Sequence, residues 1–158
     1  YVHSHRGVST GRRIARVLSF GELKSEVTDG QIDTVVVAFT DMQGRLMGKR
    51  LHGEFFVEEV DAGHPVEGCN CLLALDMEGD PIPGYQIASW ERGYGDFAMQ
   101  PDLATLRRIP WLEATALVLA DVLWHDGSPV QPSPRQVLKA QVARAAAPRS
   151  LSPWMTAS

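Results

Sequence analysis

Cysteine is scarce in this sequence: Cys69 and Cys71, one position apart in Cys-Asn-Cys, are the only two in 158 residues. On a strand the two would share a face. A disulfide between them would close a tiny, strained ring, and a zinc site would need further ligands that the nearest histidine, His64, does not bring at a ligand spacing. They read as small core residues of a reducing compartment. The five histidines, at 3, 5, 52, 64 and 125, are scattered without ligand spacing, so no metal is expected in this chain. An excess of positive charge is absent too. Fifteen Lys and Arg against nineteen Asp and Glu leave a net charge of -4, which excludes a basic field for nucleic acid or anionic lipid. No apolar run reaches the length of a membrane helix. The first residues, with His3, His5, Arg6, Arg12 and Arg13 among Gly and Ser, lack a signal peptide's apolar centre. The expectation is a soluble, cytoplasmic protein. Phosphate-cradling loops are also lacking, since Gly-Tyr-Gly-Asp at 93–96 matches neither the dinucleotide nor the P-loop spacing.

What is present is enough apolar material, 44% of the chain, for one domain with its own core. Residues 1–18, basic and small, read as a flexible arm. Ser19 and Glu22 stand at capping-box spacing and predict a helix from Phe20 to about Thr28, closed at Asp29-Gly30. The β-branched run from Ile32 to Thr40 predicts a strand. Asp41-Met42-Gln43-Gly44 turns it, and Arg45 to His52 returns antiparallel. Gly53 to Ala62 predicts a short helix across the sheet, ended by Gly63 and Pro65. Asn70 to Leu75 reads as a further strand. Between Met77 and Ala114 periodicity disappears among prolines, glycines, Tyr85, Trp90, Tyr94 and Trp111, which predicts a long working loop. Thr115 to Trp124 is the clearest strand, turned by His125 to Ser128. Ser133-Pro134-Arg135-Gln136 opens a helix to about Ala147 with a cap, a first-turn proline and a capping-box Gln. The fold class expected is α+β, a mixed sheet covered on one face with a crossing helix and a C-terminal helix. Residues 148–158 read as an unstructured tail.

Several segments in order carry a resemblance. They are Phe39 to Arg50; Leu73-Ala74-Leu75-Asp76 with Pro83-Gly84-Tyr85 to Trp90; Gly93-Tyr94-Gly95-Asp96-Phe97 leading into Pro101 to Trp111; and Ala120-Asp121-Val122 with Asp126 to Pro129 and Ser133 to Lys139. Together these resemble the amino-terminal β-grasp region of the glutamine synthetase family, including its relatives that join glutamate to polyamines or other amines. The resemblance spans about residues 20 to 146. It implies a β-grasp domain over 19–132 and a helix at 133–147 leading toward a catalytic domain. That domain would carry the ATP site and two or three Mg²⁺ or Mn²⁺ ions, and its absence reads as a truncation. The implied chemistry is ATP-dependent: the γ-carboxylate of glutamate is phosphorylated, and an amine attacks the acyl phosphate. The resemblance also implies a homo-oligomer whose active sites form where this domain meets the catalytic domain of a neighbouring subunit.

By position, Leu75-Asp76-Met77-Glu78-Gly79 answers to the family's Phe-Asp-Gly-Ser-Ser loop, which makes Asp76 the implied carboxylate that binds the amine and accepts its proton. The Gly-Ser-Ser portion is absent, and the substrate leans toward an amine other than ammonia. Asp96 is the second candidate, as a loop partner, and Trp90 a candidate wall of the substrate pocket. Simpler readings stand beside these: Asp76 and Asp96 as turn-forming aspartates, Trp90 as a core or interface residue. A stand-alone β-grasp binding module without catalysis is the alternative for the whole chain.

Overall fold

The computed structural model describes residues 16–85, 87 and 95–147. A helix, α1 (Phe20–Thr28), precedes a hairpin of β1 (Thr34–Thr40) and β2 (Leu46–His52). The chain then crosses through α2 (Gly53–Asp61) to β3 (Val66–Cys69) and a single 3₁₀ turn, Asn70–Leu73. Two long strands follow, β4 (Asp96–Arg108) and β5 (Thr115–Leu123), and α3 (Pro134–Ala146) comes last. The strands form one sheet in the order β2-β1-β5-β4-β3. β1 and β5 run parallel at its centre, Thr34 opposite Thr115, and every other pairing is antiparallel. A hairpin, a crossing helix and a last strand set parallel beside the first make this the β-grasp arrangement.

Local sequence explains the elements. At α1 the capping box forms: the Ser19 hydroxyl accepts from Glu22 N–H, and the Glu22 carboxylate accepts from Ser19 N–H at 2.8 Å. In β1 alternate residues Val35, Val37 and Phe39 are fully buried. They meet Leu23 and Val27 of α1, Phe56 of α2, and Ala116, Val118, Ala120 and Val122 of β5 in one core. Phe39 and Phe97 pack edge to face, ring centres 5.2 Å apart. Gly53 opens α2 where Val27 leaves no room, since a Cβ there would sit 2.9 Å from a Val27 methyl. The core lies on the α1–α2 face. α3 contributes no buried residue to it.

Four expectations need correction. Asn70 to Leu75 is not a strand; the strand is Val66–Cys69, and Asn70 begins the 3₁₀ turn. The region after Met77 is not irregular as far as Ala114, because β4 occupies thirteen residues of it. Pro101 hid that strand, since proline removes a ladder donor, and so does a register shift between Asp102 and Arg107 that breaks the alternation. Ser133 precedes α3 but its side chain caps nothing; its hydroxyl is buried with no partner among the described residues. Cys69 and Cys71 also differ from the expectation. Both are half-buried and are joined to each other as a disulfide, with Cα atoms 5.3 Å apart.

Candidate functional site

Asp76 sits at the tip of a small hairpin that the sequence encodes through Gly79. Leu75 bridges Pro81, Ile82 N–H donates to Ala74 C=O at 2.8 Å, and Asp76 N–H donates to Asp80 C=O at 2.8 Å. Gly79 turns the tip with φ +93°. The Asp76 Oδ1 accepts two backbone N–H groups, from Glu78 at 3.0 Å and from Asp80 at 2.8 Å. The aspartate therefore shapes its own turn. That geometry also fixes the carboxylate, half-buried, with Oδ2 taking no hydrogen bond from the described residues. Met77 beside it is 64% exposed.

This tip leans on the β1–β2 turn. Asp41, 1% exposed, accepts at Oδ1 from Gln43 N–H at 3.0 Å and Arg45 N–H at 2.8 Å, and at Oδ2 from Arg45 Nε at 2.7 Å. Burial pushes the Asp41 carboxyl up, but the Arg45 side chain and the two backbone donors outweigh it and hold the group below its ordinary value. Arg45 then donates through Nη1 to the Met77 carbonyl at 3.3 Å, and its Nη2 is buried without a partner among the described residues.

Asp96 is exposed at the start of β4, opposite Cys69 of β3, with no hydrogen bond to Asp76 among the described residues. Trp90 lies outside the described residues. Asn70, which sequence reasoning passed over, is buried where β3 ends. Its side chain accepts from Gly95 N–H at 3.2 Å and donates to Ile87 C=O at 3.1 Å, so it ties together the two ends of the segment between them. A polar residue inside the apolar run Cys-Asn-Cys-Leu-Leu-Ala was the signal available.

On the face away from α1 and α2, an open cleft of about 330 Å³ is lined by Val36, Ala38, Met47, Leu117 and Trp111, with Trp111 77% exposed. α3 adds the exposed Val137, Leu138 and Val142. It is tethered by Arg135, which donates to Asp121 at 2.8 Å and to Asp102, and by Lys139, which also donates to Asp121. Burial pushes the Asp121 carboxyl up, but Lys139 and Arg135 more than offset it and hold the group below its ordinary value.

Among the described residues no three His, Cys, Asp or Glu side chains gather as metal ligands, and no helix is long and apolar enough to cross a membrane. Among the described residues, then, no cluster suits the metal ions that the family resemblance implies.

Fold and site together define an α+β domain of β-grasp form in which Asp76 is anchored at a hairpin tip and one sheet face carries an open apolar cleft. No protein-family model matches the chain. Over 129 residues, 82% of this chain and 28% of the other, it is 56% identical to the γ-glutamylethanolamide synthetase GlnA4 of Streptomyces coelicolor. It is 34% identical to a glutamate–isopropylamine ligase of a Pseudomonas species, over 72% of this chain and 25% of that one. Among solved structures it is similar to the complex of GmaS with ADP, at 26% identity and a TM-score of 0.58, covering 78% of this chain and 25% of that one. The chain belongs to the glutamine synthetase family. It spans about a quarter of the length of the relatives it matches.

Proposed function

We propose that the chain serves an ATP-dependent ligase joining the γ-carboxylate of glutamate to an amine through γ-glutamyl phosphate, and that it supplies the amine-side wall of an active site formed between subunits. The observation that carries this reading is the 56% identity to a γ-glutamylethanolamide synthetase across most of the chain. ATP, glutamate and Mg²⁺ or Mn²⁺ would be held by the part of the relatives' length that this chain does not span. The family's neighbouring catalytic domain accounts for the uncovered cleft under Trp111 and the bare apolar side of α3. The setting is cytoplasmic and the assembly a homo-oligomer.

In this reading Asp76 binds the ammonium form of the amine. With Oδ1 committed to two N–H groups, Oδ2 is the oxygen that receives the ammonium and takes its proton as the nitrogen attacks. Charge-assisted contact of this kind is worth roughly twice a neutral hydrogen bond. Met77, exposed beside it, offers apolar surface to the carbon part of an alkylamine, which favours such a substrate over ammonia. Asp96 acts as a second carboxylate at the boundary between subunits.

The test is a chimera in which this chain replaces the corresponding quarter of the Streptomyces coelicolor relative, assayed for ethanolamine-dependent phosphate release. Asp76→Asn should leave assembly intact and lower kcat/KM for the amine by about 100-fold or more, the loss expected for a positioned proton acceptor. Full activity in Asp76→Asn would remove Asp76 from the chemistry.

A further inference from the structure

We infer that the Asp41–Arg45 pair, its aspartate buried and its arginine half-buried, is the positioning element of Asp76, holding the tip that carries it at a fixed place on the sheet; this deepens, and rests on, the reading of Asp76 as the amine-facing carboxylate. The β1–β2 turn does not need the Arg45 side chain. Asp41 Oδ1 already accepts from Gln43 and Arg45 N–H, Gly44 N–H donates to Asp41 C=O at 3.1 Å, and Asp41 N–H donates to Arg45 C=O at 2.9 Å. That leaves Asp41 Oδ2 for one purpose, to grip Arg45 Nε at 2.7 Å. So gripped, the guanidinium is planar and directed, and its Nη1 reaches a carbonyl 32 positions further along the chain, at Met77.

Met77 directly follows Asp76, inside the turn whose Glu78 and Asp80 amides fix Oδ1. Among the described residues, Arg45 makes the only side-chain hydrogen bond from outside this tip to its 76–80 segment. A carboxylate that must meet an amine from the facing subunit has to be held to within a fraction of an ångström, and a two-stranded tip of this size is not rigid unaided. The path runs from Asp41 through Arg45 and Met77 to Asp76. Lysine could keep the charge beside Asp41, but a single ammonium on a flexible stem lacks the fork that serves Asp41 and Met77 together.

Arg45→Lys and Arg45→Met test this in the 158-residue chain, by amide hydrogen exchange read residue by residue. Arg45→Lys should speed exchange of Glu78 and Asp80 N–H about fivefold, one hydrogen bond's worth, with Val118 and Ala120 in β5 unchanged. In the chimera the same variant should raise KM for ethanolamine while KM for glutamate stays constant, and Arg45→Met should do so more strongly if it folds. Unchanged exchange at Glu78 and Asp80 in a folded Arg45→Lys would overturn the proposal, as would equal shifts in both KM values. Asp76→Asn separates the two ideas: if it is fully active while Arg45→Lys loosens the tip, the positioning stands and the role given to Asp76 falls.

Discussion

Asp121→Asn should free α3 while leaving the sheet intact. α3 buries none of its residues, so its place depends on Arg135 and Lys139, both of which donate to Asp121. The Arg135 Nε contact, at 2.8 Å between groups about four-fifths buried, is worth about 1.5–3 kcal/mol as a hydrogen bond between charges. Lys139 is half exposed and adds about 0.5 kcal/mol after screening. Part of the loss is recovered because Arg135 keeps Asp102 and the new amide still accepts one bond. The balance is about 2 kcal/mol, or about thirtyfold faster exchange across α3. A 13-residue helix released from its support has little helicity of its own.

The same pair sets a pH dependence. The Asp121 carboxyl is held below its ordinary value in the folded state, so its contribution is complete above the detached value of about 3.9 and is lost as pH falls through the folded one. Hydrogen exchange of residues 137–146 in wild type and Asp121→Asn, taken from pH 7 down to pH 3, reads both effects. The gap should be full near neutrality and narrow toward the acid end. Equal protection of α3 in the two proteins at pH 7, or a gap that persists unchanged at pH 3, would refute the reasoning.

Two further substitutions probe the scaffold. Gly48→Ala should destabilise by several kcal/mol, because Gly48 has φ +155° and a Cβ would fall 1.9 Å from the Val37 carbonyl oxygen; urea denaturation checks it, and a loss below about 1 kcal/mol would contradict the close approach of β1 and β2. Ser19→Ala should cost about 1 kcal/mol through loss of the α1 cap, read as a fall in the thermal midpoint, with Ser19→Gly costing less.

Much of the frame was legible because its signals are local. Ser19 and Glu22 mark α1, Gly44 marks the turn of the hairpin, and β-branched residues mark β1 and β5. β4 was not legible, because Pro101 lies within the strand and is tolerated only where its neighbours and a bulge accommodate it, a tertiary fact. The site was legible in part. Asp76 could be named as a candidate, and its hold on Glu78 and Asp80 is local, within its own turn, but Arg45's reach to Met77 depends on where chain segments far apart come to rest. Asn70 shows the same limit: its residue type could arouse interest, yet Ile87 and Gly95 become its partners only once β3 and β4 have paired.

The parallel pairing of β1 with β5 has a consequence for how the chain reaches its native state. β1 can meet β2 as soon as the hairpin has left the ribosome, but its other edge must wait until the segment from Thr115 onward has been made. Until then Val35, Val37 and Phe39 have α1 and α2 above them and an unpaired strand edge beside them. Closing the sheet demands a contact between distant parts of the sequence, which is the slow kind. The interval before it is when the nascent chain is most prone to pair with another copy, and a chaperone would act there.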